Sequence, residues 1–229
     1  MNRFPFTLPA VLLIIAGCHS TPGGDRAAAD NAVAATAHPL ATEVARDVLA
    51  RGGNAADAAV AAGFALAVAE PSMSHLGGRI QILYRSADGR YEGYNGMTEV
   101  PAGYEPPEEP VSQGYGTIAT PGVVAGLARL HAEHGSLPWP DLLRPAAQLA
   151  RDGYALLPGA AARHARGLEQ FRNNPGFRQV FVEEDGTAYD AGDVVRQGAL
   201  ARTIERLASA GAGDFYRGQI AAQIAADMA

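Results

Sequence analysis

The sequence is poor in cysteine and in positive charge. Cys18 is the single cysteine among 229 residues, which excludes an intramolecular disulfide, so an oxidising compartment would add no cross-link to this fold. Eighteen basic residues stand against 24 acidic ones, for a formal net charge of -6. No run of basic residues is interleaved with aromatic ones. Together with the negative charge, this argues against a nucleic-acid partner.

Several catalytic motifs are also missing. There is no Gly-x-Ser-x-Gly elbow, and Gly77-Gly78 lacks the spacing of a phosphate-binding loop and precedes a predicted strand. His131 and His134 lie one helical turn apart and could hold two metal ligands. No third ligand follows at a spacing typical of metal sites, so a solvated helix end is the favoured interpretation. The pair Glu108-Glu109 falls in a proline-rich loop and is expected to be solvated. The residues alone therefore show no self-contained active site.

Residues 1–18 have the parts of a bacterial secretory signal peptide. Arg3 is followed by an apolar stretch that runs to Ile15, and small residues precede Cys18. This pattern predicts a lipobox in which Cys18 is lipidated and becomes the first mature residue; the alternative is a plain signal peptide with a chance cysteine. Residues 19–30 are short and polar and are predicted to form a flexible tether. The residue after the cysteine is His19 rather than aspartate, which favours the periplasm-facing side of the outer membrane.

One segment, Ala55–Ala69, consists of little but alanine and other small apolar residues. Its length falls short of the about twenty apolar residues that cross a bilayer, and Asp57 lies inside it. Asn54 is a good N-cap, and Pro71 disfavours helical backbone in the residue before it. We therefore predict a central buried helix that packs closely against other backbone.

Residues 31–229 are predicted to form the folded part of the chain, an α+β layered domain. The pattern indicates a short strand at 31–36, a helix from Pro39 that ends before Gly52-Gly53, and a hairpin of strands 80–85 and 90–94. Helices are predicted to end at His134 and near Gly153, residues 154–196 are mixed, and two late helices span about 197–209 and 215–228. Ile220, Ile224 and Met228 form the apolar face of the last helix, which we expect to be poorly covered.

Four segments in order resemble gamma-glutamyltransferases, also called glutathione hydrolases. They are HPLATEVARDVLARGGNAADAAVAAGFALAVAEP (38–71), GTIATPGVVAGL (116–127), HGSLPWPDLLRPAAQLARDGY (134–154) and LARTIERLASAGAGDFYRGQIAAQIA (200–225). The resemblance covers nearly all of residues 31–229. It implies part of an N-terminal-nucleophile (Ntn) hydrolase αββα sandwich, namely the large-subunit region.

The resemblance also implies the chemistry. Family members are precursors that cleave themselves and expose a threonine, whose hydroxyl attacks a gamma-glutamyl amide with its own α-amino group as base; no metal or cofactor is needed. No threonine of this sequence stands in a Thr-Thr-His context, and Thr117 and Thr120 are expected to be structural. We therefore expect the nucleophile to belong to a complementary small half, and this chain alone to be inactive. The implied partners are that half, a gamma-glutamyl or related amide substrate, and the membrane through the lipid.

Two stretches depart from the family pattern. Arg79 and Ile80 in SHLGGRIQIL (74–83) replace a longer glycine run, and Met97 in NGMTEVP (95–101) replaces an arginine that binds the substrate's α-carboxylate. The hypothesis is that Arg79 supplies the missing cation, which makes Arg79 and Met97 the candidate substrate-binding residues; the alternative is a surface arginine. Related branches act on other amides, including acyl-lactams. A second class of function stays open, a non-catalytic envelope lipoprotein that keeps part of the fold as a binding or structural module.

Overall fold

The structure is a computed structural model that describes residues 26–29, 32–109, 112 and 114–228. Two short strands open it, β1 (Arg26–Ala29) and β2 (Ala32–Ala35), paired antiparallel. The second confirms the strand predicted at 31–36. The first lies within residues 19–30, which are predicted to form a flexible tether.

The first two helices have the ends that their sequences predict. Helix α1 (Pro39–Ala50) has proline at its first position, where the missing N–H costs no hydrogen bond. Helix α2 (Ala55–Ala69) begins with a capping box: the Asn54 side chain accepts from the backbone N–H of Asp57 at 3.0 Å, and the Asp57 carboxylate accepts from that of Asn54 at 2.9 Å. The bounds of α2 confirm the prediction.

Helix α2 is the centre of the domain, buried along most of its length and packed by α1 and by two later helices, α3 (Val123–His134) and α4 (Trp139–Asp152). Its small residues allow the close packing: a Cβ added at Gly63 would lie 3.0 Å from Leu127 Cδ1. Ala59 is exposed, so one narrow face of the helix is free. Within the described ranges, no helix has both the length and the apolar character that crossing a membrane requires.

A β-hairpin lies beside α3. Strand β3 (Ile80–Arg85) pairs antiparallel with β4 (Tyr91–Gly96), in a register that sets Ile80 opposite Gly96. The side chains alternate, as a half-buried pair requires. Ile80, Ile82, Tyr84 and Tyr94 pack against the core, whereas Leu83 and Tyr91 on the outer face are 76% and 66% exposed.

The remaining elements all follow the hairpin in the sequence. They are a 3-10 turn (Tyr115–Thr117), β5 (Tyr154–Ala155), α5 (Pro158–Asn173), α6 (Pro175–Phe181), β6 (Val194–Val195), α7 (Gly198–Ala210), α8 (Gly213–Arg217) and α9 (Gln219–Met228). Helix α4 packs between α2 and α7, and β5 pairs with β6. The prediction of a single late helix at 215–228 is wrong, because the helix is interrupted at Gly218, between α8 and α9. Ile220 is buried and Ile224 exposed, so the expected poor cover of this face is confirmed only in part.

Candidate functional site

Three backbone segments meet where the hairpin ends and α3 begins. The N–H of Gly122 donates to the carbonyl oxygen of Gly78 at 2.9 Å, and Glu99 and Thr120 exchange two backbone hydrogen bonds of 2.8 and 3.0 Å. A Cβ at Gly122 would lie 2.2 Å from the carbonyl oxygen of Gly96, closer than any side chain tolerates. The glycine in the ATPG motif is therefore required by backbone packing.

Two cavities lie at this junction. The larger, of about 800 Å³, is lined by β4, the start of α3, Met97 and Tyr216. The smaller, of about 500 Å³, is lined by Arg79 with His75 and Thr98. The two have no lining residue in common.

The structure thus separates the two predicted substrate-binding residues. Ile80 and Gly96 are paired at the open end of the hairpin. Arg79 directly precedes Ile80 and Met97 directly follows Gly96, so the two residues lie next to this pair, one on each strand. They nevertheless line different cavities. Arg79 is exposed and makes no hydrogen bond or ion pair with the part of the chain that the structure describes, which leaves its guanidinium available. Its proposed role in place of the missing arginine stays a prediction.

Tyr216 of α8 closes one wall of the larger cavity. Its hydroxyl donates to the carbonyl oxygen of Pro121 and accepts from the N–H of Ala125, both at 2.9 Å. These bonds hold the start of α3 against a segment more than ninety residues away. Sequence reasoning missed this residue, because nothing in its neighbourhood distinguishes it from any other helical tyrosine.

Three residues that line the larger cavity, Glu92, Tyr94 and Glu133, form a cluster of interacting side chains with His134. Nε2 of His134 lies 2.9 Å from Oε2 of Glu92 and 2.8 Å from the Tyr94 hydroxyl, and that hydroxyl lies 2.7 Å from Oε2 of Glu133. The His134 ring stacks on Tyr84 with 4.1 Å between centroids. The prediction that His134 lies at a solvated helix end is therefore wrong. His131 does not join the cluster: its Nε2 lies 2.8 Å from the Leu137 carbonyl oxygen, and its ring packs on Trp139.

Burial and hydrogen bonds within this cluster move the pKa values of its members in opposite directions. Burial first, and then the Glu133 and Glu92 carboxylates, raise the pKa of Tyr94. Hydrogen bonds from His134 and Tyr94 lower the pKa of Glu92, and those from Tyr94 and Arg129 lower that of Glu133. At neutral pH the cluster therefore holds two carboxylates and a protonated phenol.

The other residues singled out from sequence have simpler places. The Thr117 hydroxyl donates to the Gly114 carbonyl oxygen at 2.8 Å, as a structural hydroxyl would. Glu108 and Glu109 are exposed, as expected. Cys18 lies outside the described residues.

The fold is matched by solved structures of Ntn hydrolases, and it defines the class of this chain. The gamma-glutamyltranspeptidase of Helicobacter pylori superposes with a TM-score of 0.81 at 32% identity, over 84% of this chain and 58% of that one. A cephalosporin acylase from Bacillus halodurans superposes with a TM-score of 0.77 at 28% identity, over 82% of this chain and 38% of that one. The predicted α+β, Ntn-hydrolase fold is confirmed.

The chain belongs to the gamma-glutamyltranspeptidase family, whose model matches residues 41–229. Among curated relatives, the glutathione hydrolase proenzyme of Escherichia coli is 34% identical over 212 residues, which are 87% of this chain and 36% of the relative. The chain thus spans about a third of the length of the curated relatives it matches, and it corresponds to their large-subunit region.

Proposed function

We propose that this chain is the large-subunit part of an amidohydrolase that cleaves or transfers gamma-glutamyl or related acyl groups. The nucleophilic threonine is contributed by a complementary small half, and the active site is complete only when the two halves are together. The observation that carries this proposal is the match of residues 41–229 to the family, with no threonine in the processing context within that span.

Two features of the structure support a second half. The outer face of the β3–β4 hairpin exposes Leu83 and Tyr91, as expected of a sheet that is covered by another layer in the sandwich. The cavity lined by Met97 lies beside that hairpin, and the threonine among its lining residues, Thr120, stands in the ATPG segment rather than in a processing context. A gamma-glutamyltranspeptidase and a cephalosporin acylase share the fold, so we specify the substrate only as an amide.

Co-expression tests the proposal. The purified 229-residue chain should neither cleave itself nor release the chromophore from a gamma-glutamyl anilide. Co-expression with a threonine-led small half encoded beside it should give turnover, and replacing that threonine by alanine should abolish it. Turnover by the chain alone, free of host enzyme, would refute the proposal. Failure of every co-expressed pair to act on gamma-glutamyl or acyl-lactam substrates would favour the non-catalytic envelope lipoprotein instead.

We also propose that Cys18 carries a lipid and anchors the domain on the periplasm-facing side of the outer membrane. The support is the sequence pattern before Cys18. Labelled fatty acid should be incorporated into the wild-type chain, and Cys18→Ser should abolish both labelling and membrane fractionation. Several acyl chains are needed for firm anchoring, since a single one binds only marginally. A wild-type protein that is unlabelled and does not sediment with membranes would disprove the anchor.

A further inference from the structure

Glu92, Glu133 and His134 bring three potential metal-ligand atoms within 4.8 Å of one another. Within the described part of the chain, no other group of three histidine, cysteine or acidic residues meets this spacing. The three come from two elements, β4 and the last turn of α3, so they meet only because the hairpin packs on that helix.

The histidine of this group is held in a fixed orientation. Its ring stacks on Tyr84 at 4.1 Å and meets the edge of Tyr94, so that Nε2 points between the Glu92 carboxylate and the Tyr94 hydroxyl. Its side chain is 19% exposed, which leaves a path for an ion from solvent. A preoriented imidazole reduces the ordering that metal binding would otherwise require.

We propose that Nε2 of His134 and one carboxylate oxygen each from Glu92 and Glu133 bind one Zn²⁺ ion, with water as the fourth ligand. Tetrahedral zinc with bonds of about 2.0–2.2 Å separates its ligand atoms by about 3.3–3.6 Å. The Nε2–Oε2 distance of 2.9 Å between His134 and Glu92 then widens by about half an ångström. Both glutamates have the side-chain length and the exposure to make that adjustment.

The chemistry of the set selects zinc over the hard cations. One imidazole nitrogen with two carboxylates suits zinc, whereas Ca²⁺ and Mg²⁺ take oxygen ligands in larger number. The two carboxylates offset the charge of the ion. The ion takes the place of any proton on Nε2 of His134, and that proton is released to solvent. The Tyr94 hydroxyl donates to Glu133 and orients it outside the coordination sphere.

Arg129 competes with the ion for the Glu133 carboxylate. Its guanidinium pairs with the Glu133 carboxylate one turn along α3, and the Arg129 side chain is 71% exposed. An exposed pair of this kind is weak and is readily exchanged for a stronger cation. The site goes beyond the proposed function, because threonine chemistry needs no metal. Its effect would be to tie the hairpin to the end of α3.

Calorimetric titration of the chelator-treated full chain with ZnCl₂ tests the site. We expect one Zn²⁺ per chain with a dissociation constant on the order of micromolar, and a Tm that rises with zinc. His134→Gln and Glu133→Gln should weaken binding by about a hundredfold or more, and Tyr94→Phe by about tenfold. Arg129→Ala should tighten it severalfold, an outcome that a merely damaged fold would not give.

Matched controls keep the result specific. His75→Gln removes an exposed histidine. Glu99→Gln removes a carboxylate that lines the larger cavity, as Glu92 and Glu133 do, but that lies outside the cluster. Both should bind zinc like the wild type. Wild-type uptake no greater than that of His134→Gln, equal losses in the controls, or a preference for Mg²⁺ or Ca²⁺ would each overturn the assignment. Should His134→Gln fail to fold, the exposed Glu133 provides the same comparison.

Discussion

Asp57 is a fully buried carboxylate that joins two distant parts of the chain. Its oxygens accept from the Ser136 hydroxyl at 2.6 Å, from the backbone N–H groups of Ser136 and Leu137 at 2.9 and 3.2 Å, and from that of Asn54. Burial alone would raise the pKa of Asp57. The hydrogen bonds from Ser136, Asn54 and Leu137 outweigh it, so the pKa is lowered.

Asp57→Asn should therefore be strongly destabilising. The amide offers one acceptor oxygen and places donors against buried N–H groups, at a cost of about 2–4 kcal/mol in the free energy of unfolding. Urea denaturation at neutral pH measures this. The exposed control Asp152→Asn should change stability by no more than about 0.5 kcal/mol. A neutral Asp57→Asn would show that the carboxylate is not needed to join α2 to Ser136.

Arg79 is the second residue whose role can be measured. In a reconstituted active protein, Arg79→Ala should raise KM for a substrate with a free carboxylate far more than for one without it, because a guanidinium offers a carboxylate two parallel hydrogen bonds. Met97→Arg in the other cavity is the informative companion, since it restores the family's cation. Equal KM changes for both substrates in Arg79→Ala would remove Arg79 from the site.

Sequence reasoning could predict local contacts of these residues but not distant ones. Asn54 and Asp57 are three positions apart, and the cap they form follows from helix chemistry. The partner Ser136 is 79 positions away and depends on how the chain packs. Likewise, Glu92 lies 42 positions from His134, so nothing in the spacing of either could reveal the cluster.

One side chain, that of Asp214 in α8, links α7 to α9. Asp214 of α8 binds the Arg206 guanidinium through two hydrogen bonds of 2.7 Å and accepts from the first N–H groups of α9, at Gln219 and Ile220. Gly218 is needed here, because a Cβ there would lie 2.2 Å from Oδ1 of Asp214. The prediction of one continuous helix at 215–228 missed this break. The pattern on both sides of Gly218 is helical, so a single glycine did not mark the end of a helix.

Helix α9 should fray in acid before the core unfolds. The hydrogen bond from Arg206 lowers the pKa of Asp214 to about 2, against the tendency of burial to raise it. A depressed folded-state pKa stabilises the fold above the unfolded value of about 3.9 and loses that contribution as the pH falls toward about 2. The protection factors of the α9 amides, which correct exchange rates for their intrinsic pH dependence, should fall over this range. In Asp214→Asn the exchange of these amides should be fast already at neutral pH, and unchanged α9 exchange in that variant would contradict the account.

Elements with clear terminal signals were predictable, and those with a faint apolar face were not. Helix α2 has its cap and its terminal proline in the sequence. Helices α5 and α6 fell in the stretch described only as mixed, because α5 buries only Ala160 and His164 of its sixteen residues. So small a buried face leaves little helical periodicity in the sequence.

The described part of the molecule has an apolar surface that no other described residue covers. Leu83 and Tyr91 both lie on the outer face of the hairpin, one on each strand, whereas the inner face of the same strands is packed. Ile220, which the sequence suggested would be uncovered, is buried against the core, so the exposed apolar surface is on the sheet more than on α9. A partner layer is thus expected over the hairpin.

Leu83→Glu separates folding of this chain from association with its partner. Because Leu83 is 76% exposed, the change should alter the free energy of unfolding of the isolated chain by no more than about 0.5 kcal/mol. It should reduce binding of a hydrophobic dye and abolish the turnover gained by co-expression with a small half, since a buried unpaired carboxylate is costly at a sheet interface. Ile224→Glu, an equally charged change on the exposed side of α9, is the control and should leave that turnover intact. Full activity of the Leu83→Glu pair would show that the second half does not cover the hairpin.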